Sequence, residues 1–444
     1  MNFIFRVYFV LSRTTLVRSV EPFPVPSMRS ARSFWLSFCC FMVVSSVRPS
    51  LANVRKFVKI NWGRMTNTPN KWINCAIPGV ALTTCIGSVY CWSQFSANLA
   101  ETFGLTRFST DIGFTLIIFF LGMCAAIFGS TIERNPRLGA WLSTIVFITG
   151  FLMLGVAVYT QCVPAYYIAT AIIGAGTGIG YVTPVKTLMA FFADHKGMAS
   201  GLAITGFGLA KFVASPVIEW LLANVALYNV FFVMGAIYAA VMVGSSLLLR
   251  KYPNMAKEYG SSDFRYGDLL KRKEWWAIWF MFMTNISCGL AIISQEKSLL
   301  LGLGIASVAA ILSGTALSNA GGRIGFSTLS DKIGRKASYH FVCSFGILGA
   351  LFCITGNPVM SVIGILLCEA AYGGNFSVLP SLLARRFGMT NASRIHSLTL
   401  TGWSVGGIFG PLLANTFSGT VLYIVLAVLY FIAFSVMEMN VSRG

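Results

Sequence analysis

One stretch of the chain reads Asn319-Ala-Gly-Gly-Arg323-Ile-Gly-Phe-Ser327-Thr-Leu-Ser-Asp331, and it closes a long apolar segment. On a helix, Asn319, Arg323 and Ser327 recur every fourth residue and make one polar stripe. A guanidinium is a planar fork of donors that stays charged, and it matches a carboxylate through two parallel hydrogen bonds. The chemistry to expect of Arg323 is therefore recognition of a carboxylate, on a bound organic anion or on the chain itself, where Glu369 is the candidate partner. Lys211 and Lys186 can add a second positive charge; Lys186, near a helix end, is better placed to snorkel towards the surface. Glu369 can alternatively carry a proton, as acids inside membrane segments do. Other chemistry is poorly provided for. His195, His340 and His396 are scattered, the eleven cysteines include no C-x-x-C pair, and no Ser/His pair stands out. Neither an enzyme, nor a metal centre, nor a cofactor is expected.

The elements that must hold these residues are membrane helices. The chain is 56% hydrophobic and 11% charged, with a mean hydropathy of +0.74, against about 25% charge in a soluble domain. A helix needs about 20 apolar residues to cross the bilayer core, and the continuous runs exclude the short alternating segments of a membrane barrel. Twelve spans are expected: 72–99, 108–130, 138–159, 164–191, 200–222 and 226–249, then 275–300, 305–328, 338–356, 358–384, 395–417 and 419–439. Arg323 lies about 12 Å along its helix from Asp331 at 1.5 Å per residue, which puts it near the membrane midplane. An arginine there costs about 2.5–3.5 kcal/mol to insert, which marks it as functional by default.

The segment 250–274 is the one long polar stretch between spans, so the chain divides into an extension 1–64, a six-helix bundle 65–249, a linker 250–274 and a six-helix bundle 275–444. The loops after even-numbered spans and the C-terminus hold 17 Lys/Arg, the opposite loops only Arg107 and Lys297. The positive-inside rule then sets both termini in the cytoplasm and the chain in the cell (inner) membrane. The net charge of +19 follows from these loops and from the basic extension, not from nucleic-acid binding. Residues 1–64 carry a short apolar stretch flanked by arginines. They read as a signal or anchor, as a basic tail, or as read-through upstream of a start at Met65, the last being favoured.

The pattern also repeats. Gly129–Arg137 (G-S-T-I-E-R-N-P-R) and Ser327–Arg335 (S-T-L-S-D-K-I-G-R) each place an acid, Glu133 or Asp331, four residues before an arginine, Arg137 or Arg335. Pro184, Phe191 and Gly206 recur at one common offset as Pro380, Phe387 and Gly402. Matching halves suit a carrier that rocks one half against the other around a central site. Ser327 to Lys336, with Asp331, Gly334 and Arg335, resembles the loop signature G-x-x-x-D-x-x-G-R-[KR] of the major facilitator superfamily, with Ser327 for the first glycine. The first-half copy is degraded, having Glu133 for the acid and Pro136 for the second glycine. Such an acid can pair across the face of the molecule and hold the halves in one state.

A closer resemblance covers roughly residues 72–417. Gly87-Ser-Val-Tyr90-Cys-Trp92-Ser, the glycine run 174–180 with Tyr181, Tyr372-Gly-Gly-Asn-Phe376-x-x-x-Pro380-Ser381, and Asn319-x-x-x-Arg323 look like the oxalate:formate antiporter family. That resemblance implies two pseudo-symmetric six-helix bundles, with Arg323 on substrate carboxylate and Tyr90, Trp92, Tyr181, Tyr372, Phe376 and Trp403 around the pathway. It leaves Glu369 and Lys211 as coupling or charge-pair residues. Where oxalate carriers of the family have a lysine on helix 11, this chain has Trp403, so one fixed cation implies a monocarboxylate such as formate or pyruvate rather than a dianion. Expected partners are that anion, a proton or counter-anion, and the bilayer, with the chain a monomer. A proton-coupled carrier of another metabolite and a non-transporting solute sensor are the alternatives. The glycine run suits a sliding interface or plain packing.

Overall fold

The computed structural model describes residues 69–132, 135–192, 196–251, 266–305, 307–388 and 392–440. The extension 1–64, Glu133 and most of the linker lie outside the described residues. From Thr68 onward the chain is one compact unit, built among the described residues from helices alone. Twelve long elements run α1 (Trp72–Gln94), α2 (Arg107–Ile132), α3 (Pro136–Tyr159), α4 (Val163–Phe191), α5 (Lys196–Asn224), α6 (Leu227–Leu248), α7 (Lys273–Ile293), α8 (Val308–Ile333), α9 (Arg335–Ile354), α10 (Pro358–Phe387), α11 (Thr401–Thr416) and α12 (Gly419–Asn440). Most of them sit within a few residues of the expected spans. Ten are long and apolar enough to cross a membrane on their own composition. The other two are α8, diluted by the Asn319–Arg323–Ser327 stripe, and α11, which has 16 residues and continues backwards through Leu400 into the short helix Ala392–Thr399.

The spans expected at 72–99 and 275–300 end early. α1 stops at Gln94 and α7 at Ile293, and each is followed by a separate short helix, Ser96–Phe103 and Glu296–Gly302. Within α1 the last seven residues, Ser88–Gln94, tighten into a 3₁₀ turn, the kind of mid-helix irregularity that re-aims side chains. Local signals explain other boundaries. Asn357 caps α10, accepting from the Val359 and Met360 amides, with Pro358 at the first helical position where its missing N–H is harmless. Gly334, at φ +89°, breaks the chain between α8 and α9 in a conformation that a side chain would strain.

Among the described residues the most extensive contacts between the sequence halves are those of α5 along α8 and of α2 along α11. These contacts are exchanged by the pseudo-symmetry, since α2 corresponds to α8 and α5 to α11. The seam is made of small residues. Gly122 faces Ser404 and the Leu400 carbonyl, Gly201 faces Ser327, and Gly208 faces Ala320. The glycine run of α4 serves a different purpose: Gly174 and Gly178 abut the backbone of α2, while Gly176 and Gly180 abut α3. It is packing inside the first half, not the seam between halves.

Candidate functional site

Arg323 is completely buried. Its Nε donates to Asn319 Oδ1 at 2.9 Å, one turn back on α8, and Nη1 donates to the Ile204 carbonyl of α5 at 3.2 Å. Nη2 is buried with no hydrogen-bond partner. No carboxylate lies within ion-pair distance of it among the described residues. The guanidinium is instead flanked by two rings, with its central carbon 5.1 Å from the Phe376 centroid and 5.7 Å from that of Phe207. Aromatic faces attract a cation but give it no counter-ion, so this buried charge is solvated by dipoles and rings alone.

Glu369, expected as the partner of Arg323, is engaged elsewhere. Its Oε1 takes a 2.6 Å ion pair from Lys211 of α5, and its Oε2 accepts from Asn319 Nδ2 at 2.7 Å. Lys211 makes a second 2.6 Å pair with Glu296, at the start of the short helix after α7, and donates to Thr315 Oγ1 at 3.3 Å. Lysine and both acids are buried. Asn319 therefore joins two charged groups of opposite sign: its carbonyl oxygen holds Arg323 and its amide holds Glu369. The reason for the exchange of partners is steric and topological, since α5 lies against α8 and brings Lys211 to the acids.

The aromatic residues divide. Tyr181 (α4), Phe376 (α10) and Trp403 (α11) form one cluster with Phe207 (α5), with centroid separations of 5.0 Å for Tyr181–Trp403, 4.3 Å for Phe376–Trp403 and 5.7 Å for Phe207–Trp403. Tyr90 and Tyr372 complete it from α1 and α10, their hydroxyls 2.6 Å apart across the halves. Trp403 Nε1 is a second buried donor without an acceptor. Trp92 does not join. It stacks on Tyr166 at 6.3 Å and meets Phe95, inside the first half. Phe207, Phe282 (on α7, its ring centroid 5.3 Å from that of Phe376), Asn319 and Glu296 were not singled out as site residues by the sequence. Asn319 was marked by its stripe, but the two phenylalanines carry no signal that separates them from the other phenylalanines.

The cluster is closed towards both ends. At the end bearing the basic loops, Gly201 meets Ser327 and Gly129 meets Ser397. At the far end, Asp111 of α2, bonded to Ser96, accepts from Asn415 Nδ2 of α11 at 3.1 Å, and Arg107 donates to Ser298 at 2.5 Å. The second copy of the loop signature makes a local ion pair. Asp331 pairs with Arg335 of the same loop at 3.1 Å, with the acid about two-fifths exposed, where such pairs contribute about 0–1 kcal/mol. Of the first copy, Glu133 lies outside the described residues and Arg137 sits in the first turn of α3. The Lys186 side chain is likewise outside them.

Residues 79–411 match the profile of the Major Facilitator Superfamily. Over 395 residues, 84% of this chain and 92% of the relative, the sequence is 23% identical to the oxalate:formate antiporter of Oxalobacter formigenes. Over 333 residues, 73% and 82% of the two chains, it is 26% identical to the uncharacterized MFS-type transporter YhjX of Escherichia coli (strain K12). The solved structure of the proton:xylose symporter XylE superposes with a TM-score of 0.63 at 12% identity, covering 83% of this chain and 96% of that one, a likeness of fold.

Proposed function

The chain belongs to the major facilitator superfamily, and from that premise we propose that it carries a small monocarboxylate, of the size of formate or pyruvate, across the membrane by alternating access. The observation that carries the reading is Arg323: a buried guanidinium without a carboxylate, with one nitrogen unpartnered and a second idle donor, Trp403 Nε1, in the same aromatic cluster. A carboxylate placed there gains charge-assisted hydrogen bonds to donors that have already lost their water. Aromatic walls suit a small organic anion and exclude a hydrated one. Lys211, the other buried cation at this level among the described residues, is held by two acids, so a second carboxylate on the substrate has no charge to meet. The basic loops face the cytoplasm of the inner membrane in this reading, and substrate reaches the site alternately from each end as the α2–α11 and α5–α8 seams part.

Counterflow in proteoliposomes tests it. Labelled formate or pyruvate should exchange against the unlabelled anion, and monocarboxylates should compete at concentrations at least about tenfold below oxalate. No counterflow of any monocarboxylate, or oxalate competing best, overturns the proposal.

A further inference from the structure

Resting on that reading, we propose that Glu296, Lys211 and Glu369 form a proton-binding site, and that a proton taken up by Glu296 travels with the substrate anion. The triad lies one step towards the far end from Arg323, in the order Arg323, Asn319, Glu369, Lys211, Glu296, each joined to the next by a hydrogen bond or ion pair. Two carboxylates face one ammonium, so the ionised triad carries a net charge of −1. Glu296 Oε1 is buried and accepts no hydrogen bond. The Thr315 hydroxyl hydrogen-bonds the Glu296 carboxyl, lies 2.9 Å from the Leu312 carbonyl and accepts from Lys211. With two buried carboxylates sharing one ammonium and Glu296 Oε1 left without a donor, an added proton there completes the hydrogen bonding.

Charge accounting gives the coupling. The titratable groups facing the triad are Cys91 and Tyr90 from α1, Cys368 and Tyr372 on α10, and Tyr430 on α12; thiols and phenols of their ordinary kind are neutral at pH 7. Arg323 is then the remaining fixed charge among the described neighbours, and with the site empty it offsets the triad through Asn319, for a total of zero. A bound monocarboxylate takes up the Arg323 charge and leaves −1 in a water-excluded centre, where an uncompensated charge is expensive. One proton on Glu296 restores neutrality. The same event loosens the molecule, because Lys211 belongs to the first half and both acids to the second. With Glu296 neutral, one of the two ion pairs by which Lys211 joins the halves is gone. Movement in the opposite direction releases the proton from Glu296 when the anion leaves Arg323.

Proteoliposomes holding a trapped pH dye, with labelled pyruvate outside, test the proposal on the full chain. Uptake by the unaltered protein should acidify the lumen in step with pyruvate entry and accelerate at least about fivefold under an inward acid gradient. In Glu296→Gln, which fixes the neutral form, the ratio of gradient-driven uptake to equilibrium exchange should drop at least about tenfold, whereas Glu296→Asp should keep most of that ratio. Exchange of pyruvate without any proton movement in the unaltered protein overturns the inference and leaves the anion site standing. Gradient-driven uptake that persists in Glu296→Gln places the proton elsewhere and overturns it too. An absence of exchange with pyruvate and with formate alike removes both readings together. Should Glu296→Gln not fold, the unaltered protein and Glu296→Asp still decide.

Discussion

At the scale of single residues, a cation in an apolar run was readable and its partner was not. Arg323 declares itself because arginine is costly in that setting and because Asn319 and Ser327 share its face. What Arg323 touches is set by helices far away in sequence: α5 brings Lys211 to Glu369, 158 residues apart, and so releases Arg323 from the acid expected to hold it. Glu296 was hidden for a different reason. In Gln295-Glu296-Lys297-Ser298 it looks like an ordinary loop charge, yet it is wholly buried. The consequence is testable. Arg323→Lys keeps the charge but loses the fork and the bond to Asn319, and charge-assisted hydrogen bonds are worth about 1.5–3 kcal/mol. Substrate affinity should fall about 10- to 100-fold in that variant while the protein still elutes as a folded species in detergent. Arg323→Ala should lose transport, and adding Glu369→Gln should not bring it back, because Glu369 was never its counter-ion. Recovery of labelled exchange in the double variant would mean that the arginine serves structure instead.

At the scale of elements, hydropathy located the helices but not where they bend or break. Apolar residues resume soon after Gln94 (Phe95, Leu99) and after Ile293 (Leu299 to Leu301), so composition extends α1 and α7 by several residues where the backbone turns into a second, short helix. Backbone irregularity in a membrane helix depends on which neighbours can satisfy the freed groups, and a single run of residues does not contain that information. The α4 glycines show the same limit. Their spacing announced close approach, but only the packing says that α2 and α3 do the approaching. A Cβ on Gly178 would fall well inside van der Waals distance of the Leu121 carbonyl oxygen, a backbone atom that moves only with its helix. Gly178→Ala should therefore lower the thermal stability of the detergent-solubilised protein, at the 1–3 kcal/mol typical of overpacking. Gly321→Ala is the control: nothing lies within 4 Å of the added carbon, and replacing a mid-helix glycine by alanine should be neutral or stabilising by up to about 1 kcal/mol. Equal melting temperatures for the two variants would contradict the assigned α2–α4 contact.

At the scale of the whole molecule, the repeat in the sequence and the exchange-symmetric seams in the structure say the same thing about motion. A site closed towards both ends serves transport only if the two ends can open in turn, and the two seams are the surfaces that must part. The α5–α8 seam offers a direct handle at the basic-loop end. A Cβ placed on Gly201 would stand 3.7 Å from the Ser327 Cβ, within the 3.5–4.5 Å that a disulfide requires. Most cysteines among the described residues are buried and Cys162 is exposed, so the double variant Gly201→Cys/Ser327→Cys is best made on a background with Cys162→Ser. Oxidation should join α5 to α8 and stop exchange, and reduction should restore it to within about twofold of the level before oxidation. The bond lies four residues, about one turn, beyond Arg323 on α8, so it clamps the seam on the basic-loop side of the anion site and leaves Arg323 and the aromatic cluster in place. Binding at the site should consequently survive at the end left free, and a labelled monocarboxylate should still protect the oxidised protein against thermal unfolding. If the crosslinked protein exchanges substrate at its former rate, that seam does not open during the cycle, and access from the basic-loop end must run along α2–α11 alone.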